Sequence, residues 1–225
     1  MPVLYGKKYL KSSRRRSYDR FVAVIRPIRP PAPEPVELHA RAMDNLRYIR
    51  RTMERAGSFT SVPGLGGILM GGSAVVAATL AGRQVHAARW LATWLVEAGL
   101  ALLIGIVATA HKSARARMPL LSAPSRRFFA GFVPAMAAGA LLTLVLFRGG
   151  ALEFLPETWL LLYGAGVFSG GAASVRVVPL MGVCFMATGA LALLGPANWG
   201  NLLLAGGFGG LHILFGTVIT VKYGG

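Results

Sequence analysis

Charged residues are scarce in this chain: Asp, Glu, Lys and Arg account for only 14% of its 225 residues. Soluble domains carry about 25% charged residues, so this composition argues against a water-soluble globular protein. Cysteine is almost missing as well, and the single Cys184 excludes an intrachain disulfide or a cysteine-based metal cluster. Both aspartates, Asp19 and Asp44, lie in the N-terminal tail, and no His and Glu cluster has ligand spacing. We therefore expect neither a metal nor any other cofactor.

Apolar residues, in contrast, make up 54% of the chain. Six apolar runs each approach the roughly 20 residues that cross a hydrocarbon core about 30 Å thick. The runs cover residues 63–81, 90–110, 128–147, 158–174, 178–194 and 201–221. Lipid cannot hydrogen-bond to backbone groups, so each run is predicted to be a helix. The sequence thus predicts an all-α polytopic integral membrane protein, with a six-helix transmembrane bundle over residues 63–225.

The basic residues predict how this bundle is oriented, because Lys and Arg collect in cytoplasmic segments. Of the 24 basic residues, 14 lie within residues 1–62. Five more follow in the loop after the second run, namely Lys112, Arg115, Arg117, Arg126 and Arg127. Both termini are therefore expected in the cytoplasm. The four tryptophans then cluster near the outer boundary, where indole rings favour the headgroup region: Trp90, Trp94, Trp159 and Trp199.

The N-terminal tail divides into two parts. Residues 1–36 are basic and proline-rich, which indicates a flexible cytoplasmic arm held near anionic lipid headgroups. The arm lacks a nucleic-acid-binding motif, so we expect no nucleic-acid partner. Residues 37–57 carry an apolar row at helical spacing: Leu38, Ala42, Leu46, Ile49, Met53 and Ala56. This row predicts an amphipathic juxtamembrane helix.

Three environments suit that amphipathic helix. It can lie on the inner leaflet, pack beneath the bundle, or dock onto a cytoplasmic or membrane protein partner. The candidate contacts to lipid headgroups are Arg47, Arg50, Arg51 and Arg55. The sequence also leaves a homo-oligomer open.

One segment resembles a known family. The stretch RAMDNLRYIRRTMERAGSFTSVPG at residues 41–64 resembles the juxtamembrane signature of an uncharacterised family of small bacterial six-span membrane proteins. The C-terminal GGFGGLH at 206–212 and YGG at 223–225 are similar too, so the resemblance covers residues 38–225. Members are often encoded beside winged-helix transcriptional regulators. The resemblance implies a regulated function in a bacterial inner membrane, but no activity, ligand or catalytic residue.

Glycine pairs at four-residue spacing identify candidate helix-packing positions, because small residues on one face let helix backbones approach closely. The pairs are Gly67 and Gly71, Gly166 and Gly170, and Gly206 and Gly210. Two echoes link the halves of the bundle. Gly64-Leu65-Gly66 followed by Gly71-Gly72 resembles Gly164-Ala165-Gly166 followed by Gly170-Gly171, and Gly99-x5-Gly105 resembles Gly189-x5-Gly195. Either an inverted three-plus-three repeat or glycine-rich low complexity explains them.

Polar side chains inside the apolar runs are costly and therefore form the candidate intramembrane site. They are Glu97, His212, Thr93 and Asn201. If the second helix starts early, Glu97 and His212 share a depth and can hydrogen-bond, as a proton relay or a cation site. Alternatively, Thr93 satisfies a protonated Glu97, and His212 bonds to a backbone carbonyl.

Three functions are weighed on these grounds. The first is a non-enzymatic membrane component that binds a partner, senses or regulates. The second is a small-solute or ion transporter with Glu97 and His212 at its site. The third is an intramembrane serine protease, because Ser169-Gly170 and His212 resemble the rhomboid layout. That family has Gly-x-Ser-Gly, whereas Phe168 precedes Ser169 here and Gly166 stands one place too early.

Overall fold

The computed structural model describes residues 35–56, 63–115 and 122–223, which form helices joined by short turns. The helices are α1 (Pro35–Ala56), α2 (Gly64–Ala81), α3 (Ala87–Arg115), α4 (Ala123–Gly149), α5 (Leu155–Gly171) and α6 (Val177–Leu194). The last segment comprises a 3₁₀ turn (Ala197–Trp199), α7 (Gly200–Leu204), a π-helix (Ala205–Leu211) and α8 (His212–Tyr223). No β-strand occurs among these residues, so the all-α prediction is confirmed for them. The arm at residues 1–34 lies outside the described part.

Within the part of the chain that the structure describes, five helical segments are long and apolar enough to cross a membrane. They are Gly64–Ala81, Ala87–Arg115, Ala123–Gly149, Val177–Leu194 and Ala197–Tyr223. By the length and composition of these helices, the prediction of a multi-pass membrane protein is confirmed. The fourth predicted run corresponds to α5, which has 17 residues and starts and ends three residues earlier than predicted. Pro156 in the first turn explains the early start, because proline fits where backbone N–H groups lack helical partners.

The order of packing separates inner helices from outer ones. Helix α2 packs between α3 and α8, and α5 packs between α4 and α6. The π-helix contacts both α2 and α6 and so joins the two groups. Helices α3 and α4 pack mainly on one neighbour each, and only 17% and 11% of their most apolar windows are buried. Their exposed apolar sides suit contact with lipid.

Glycine determines how closely α2 approaches the last segment. A Cβ atom added to Gly67 would lie 3.2 Å from Gly216 Cα, and one added to Gly71 would lie 2.6 Å from the Gly209 carbonyl oxygen. Backbone atoms cannot yield as a flexible side chain does, so larger residues at these positions would separate the helices.

On α5, the other predicted pair faces α4. A Cβ on Gly166 would meet Phe132 and Ala135, and one on Gly170 would lie 2.7 Å from the Phe128 carbonyl oxygen. Both glycines therefore lie where α5 approaches α4 most closely.

The prediction for Gly206 and Gly210 is wrong, because a Cβ on either would meet no atom within 4 Å. Gly207 and Gly209 occupy the close contacts of this segment instead. Spacing identifies positions that share a helix face, but it does not say which way that face points.

Helix α1 includes most of the predicted amphipathic segment and begins two residues before it. Three side chains of its apolar row, Leu46, Ile49 and Met53, are exposed.

Candidate functional site

Asn201 at the start of α7 ties three helices together. Its Oδ1 accepts hydrogen bonds from the indole Nε1 atoms of Trp90 and Trp94, both at 3.1 Å. Its Nδ2 donates to the Ala78 carbonyl oxygen at 3.0 Å. Trp90 also stacks on Trp159, with ring centroids 5.9 Å apart and planes 2° apart. These tryptophans hold α2, α3, α5 and α7 in register.

His212 and Tyr163 form a second polar cluster, deep in the bundle. The Tyr163 hydroxyl lies 2.7 Å from His212 Nε2, and His212 Nδ1 lies 3.0 Å from the Phe208 carbonyl oxygen. A carbonyl only accepts, so Nδ1 carries the hydrogen and Nε2 accepts from Tyr163. Rings of Phe185 and Phe208 enclose the pair, with centroids 4.8 Å and 5.1 Å from that of Tyr163. A neutral His212 is thus fully hydrogen-bonded in apolar surroundings.

The backbone at His212 departs from regular α-helical hydrogen bonding. The backbone N–H of His212 bonds to the Gly209 carbonyl, and its side chain bonds to the Phe208 carbonyl four residues back. In a regular α-helix the backbone amide of residue 212 would bond to Phe208. The imidazole therefore bonds to the carbonyl that this amide would normally take.

These bonds correct two predicted pairings. Both ring nitrogens of His212 have partners, so the expected hydrogen bond between His212 and Glu97 does not form. His212 is also not placed to activate Ser169, which lies six residues beyond Tyr163 on α5, about 9 Å along the axis. Ser169 instead packs where α5 meets Gly131 of α4.

Glu97 on α3 forms the third cluster. It is 7% exposed, and Ser73 Oγ on α2 lies 2.8 Å from its Oε1. Thr93, the predicted partner of Glu97, donates its hydroxyl hydrogen to the Arg89 carbonyl oxygen at 2.9 Å. Ser73 was missed from the sequence. The available signal was a hydroxyl near the middle of a glycine-rich apolar run, but its pairing depends on how α2 and α3 are rotated.

Ser73 faces two acceptors with one hydrogen. Its Oγ lies 2.9 Å from the Met70 carbonyl oxygen as well as 2.8 Å from Glu97 Oε1. A hydroxyl donates only once but also accepts. If Glu97 carries a proton on Oε2, Ser73 shares its hydrogen between Glu97 Oε1 and the Met70 carbonyl oxygen. If Glu97 is ionised, Ser73 turns its hydrogen to the carboxylate. The same atoms accommodate both protonation states.

An open groove between α2 and α3 has Glu97 in its wall. The groove has a volume of about 590 Å³. Its lining residues are Ser73, Val76, Ala77, Leu80, Ala92, Thr93, Val96, Glu97 and Leu100. Within the described residues, Glu97 Oε2 makes no hydrogen bond, and no buried side-chain oxygen lacks a partner. Glu97 Oε2 is therefore at least partly accessible, and Glu97 lines the groove.

The depth of Glu97 follows from its partner. Ser73 is the tenth of the 18 residues of α2, so the Ser73–Glu97 pair lies near the middle of that span. A carboxyl group at this depth is costly unless it is neutral or paired.

The fold and these three clusters define a multi-pass α-helical membrane protein. Among the described residues, no three His, Cys, Asp or Glu side chains come together in a way that could hold a metal ion. Comparisons with protein-family models, with curated proteins and with solved structures found no match.

Proposed function

We propose that this chain is a non-enzymatic component of a bacterial inner membrane that recognises a partner molecule from within the bilayer. The recognition site is the α2–α3 groove. The observation that carries this proposal is the accessible Oε2 of Glu97, a buried carboxyl group in a groove of apolar residues. A carboxyl group in such surroundings needs a hydrogen-bonding or charged partner, which makes it a recognition element.

The remaining polar groups support a non-enzymatic role. The hydrogen bonds of Asn201, Tyr163 and His212 join helices to one another. Aromatic rings enclose His212, so a substrate has no route to its imidazole nitrogens without breaking those contacts. These residues therefore hold the bundle together rather than carry chemistry.

The proposal includes six spans with both termini in the cytoplasm. Helix α5 supplies the sixth span, since its 17 residues extend about 26 Å and pack between α4 and α6. An even number of spans leaves the N-terminal region on the same side as Lys222 near the C-terminus. The accumulation of basic residues before α2 and around residues 112–127 favours the cytoplasm for that side.

Helix α1 complements this arrangement as an inner-surface helix. Its exposed Leu46, Ile49 and Met53 suit the acyl boundary of the inner leaflet. Its arginines, including Arg47 and Arg50, suit anionic headgroups at the cytoplasmic face.

Site-specific photo-crosslinking in native membranes tests the recognition role. A photoreactive residue replaces Val96, a groove residue that is 72% exposed. The matched control replaces Leu141, which is 66% exposed and lies on α4. We expect a discrete adduct from position 96 alone, and its loss when Glu97→Gln is added. Identical lipid adducts from both positions would contradict the proposal.

Proton transport is the competing outcome, and flux into proteoliposomes separates it from recognition. We expect no proton conductance from the purified chain, and no difference between wild type and Glu97→Gln. Conductance that disappears with Glu97→Gln would assign transport to this carboxyl group instead.

A further inference from the structure

We propose that the α2–α3 groove binds a lipophilic amine, whose nitrogen takes the proton of Glu97 and pairs with the resulting carboxylate. This inference rests on the proposed function, since it names the chemistry of the molecule that the groove recognises. Shape, charge and hydrogen bonding each support it.

The walls of the groove select a ligand that dissolves in lipid. Val76, Leu80, Val96 and Leu100 line it and are themselves exposed, so the groove opens on a surface suited to acyl chains. Its volume of about 590 Å³ lies within the range of small-molecule sites, about 300–1,000 Å³. A ligand would therefore enter laterally from the hydrocarbon core of the bilayer and place an apolar chain along α2 and α3.

The charge pattern selects a base. Glu97 is the one titratable side chain among the nine lining residues. An isolated carboxylate in hydrocarbon is strongly disfavoured, so Glu97 holds a proton until a basic group arrives. A neutral amine crosses lipid readily and is the lipid-soluble base that fits this requirement. An ester, alcohol or alkane offers no comparable basicity.

Ser73 can hydrogen-bond to Glu97 both before and after the proton moves to the amine. Before binding, the proton of the neutral acid is on Oε2, facing the groove, and the Ser73 hydroxyl lies between Glu97 Oε1 and the Met70 carbonyl oxygen, the two acceptors of its hydrogen. On binding, the Oε2–H bond of Glu97 breaks and an N–H bond forms on the amine, which leaves an ammonium paired with a carboxylate at zero net charge. Ser73 then turns its hydrogen to Glu97 Oε1, while the ammonium bonds to Oε2. No other reactant takes part.

A hydrophobic carbodiimide tests both the neutral acid and its ligand. Dicyclohexylcarbodiimide reacts with a protonated carboxyl group: the carboxyl oxygen bonds to the central carbon and the proton moves to nitrogen. The product rearranges to a stable N-acylurea that peptide mass spectrometry locates. With the full-length chain in lipid nanodiscs, we expect the adduct on Glu97. N,N-dimethyldodecylamine should block it, whereas dodecan-1-ol at equal concentration should not.

Direct binding of N,N-dimethyldodecylamine provides the second measurement. Glu97→Gln should weaken binding on the order of 30-fold or more, as loss of one partner of a buried charge pair does. Glu157→Gln is the matched control, because Glu157 is 8% exposed and lies outside the groove lining. It should leave binding unchanged. Ser73→Ala should weaken binding while the carbodiimide still labels Glu97.

Several outcomes would overturn the inference. Equal protection by the alcohol would mean that any apolar chain fills the groove. Equal amine binding by the Glu97→Gln variant would place the ligand elsewhere. If dicyclohexylcarbodiimide did not label Glu97 in the folded wild-type chain, Glu97 would not be a neutral carboxylic acid that the reagent can reach. Crosslinks at position 96 without amine binding would reject this ligand class and leave the recognition role unchanged. Amine binding that depends on Glu97, without those crosslinks, would support the ligand chemistry of the groove but show that no partner occupies it in native membranes.

Discussion

The Tyr163 hydroxyl donates a 2.7 Å hydrogen bond to Nε2 of His212, which joins α5 to the start of α8. The Phe208 carbonyl oxygen accepts from Nδ1 on the other side of the ring. These two hydrogen bonds of His212 form a structural link between α5 and the last segment, which we call the cross-brace. The sequence had indicated His212 as a candidate for proton transfer or catalysis instead.

Removing the phenolic hydroxyl tests this cross-brace. Tyr163→Phe keeps the aromatic packing but leaves His212 Nε2 without its donor. We expect a loss of about 1–2 kcal/mol in the free energy of unfolding, measured by thermal or denaturant unfolding in detergent. Tyr223→Phe, at an exposed ring near the C-terminus, should have no measurable effect. Equal stabilities of the two variants would mean that the hydrogen bond contributes little.

Asn201 should be more sensitive than its sequence neighbour Asn198. Asn201→Ala leaves the indole N–H groups of Trp90 and Trp94 without an acceptor, at a cost of about 1–3 kcal/mol for each one that stays buried. Its tryptophan fluorescence should change along with its stability. Asn198 is exposed, so Asn198→Ala should match wild type in both measurements. The assignment fails if the two alanine variants behave alike.

Two adjacent glycines of α2 should respond in opposite directions to the same substitution. In Gly71→Ala the new Cβ lies 2.6 Å from the Gly209 carbonyl oxygen, so the helices must separate, at a cost of roughly 1–3 kcal/mol. Gly72 has no atom within 4 Å of an added Cβ, so Gly72→Ala should stabilise α2 by about 0.5–1 kcal/mol. Unfolding curves of the two purified variants check this. A neutral Gly71→Ala would refute the close approach of α2 to the last segment.

Cysteine labelling tests the proposed topology. In a Cys184→Ser background, Arg83→Cys lies between α2 and α3, and Ala114→Cys lies in the last turn of α3. An impermeant maleimide added to intact cells or right-side-out vesicles should label position 83 at once. It should label position 114 only after permeabilisation. The reverse pattern would invert the bundle and place the basic segments outside.

The two glycine echoes differ in whether their matched glycines make close contacts with another helix. In the first echo, Gly71 of α2 lies against the last segment and its counterpart Gly170 of α5 lies against α4, so both mediate close helix contacts. The second echo has no such parallel. Gly99 meets no atom within 4 Å of an added Cβ, whereas Gly189 abuts Leu161 at 2.8 Å. Similar spacing alone is thus insufficient to identify equivalent positions in two helices.

The sequence alone indicated the class of this protein and the approximate location of its apolar helices. A bilayer is crossed by long apolar segments whose backbone hydrogen bonds are all made within the chain, and such segments can be recognised from composition and from the length of apolar runs. The tertiary structure decided the partners. Ser73 and Glu97 are 24 residues apart, Tyr163 and His212 are 49 apart, and Trp90 and Asn201 are 111 apart. Each pairing depends on the rotation of two helices about their axes and on the order in which they pack. A helix that is apolar on every face carries no sequence pattern that would indicate either one.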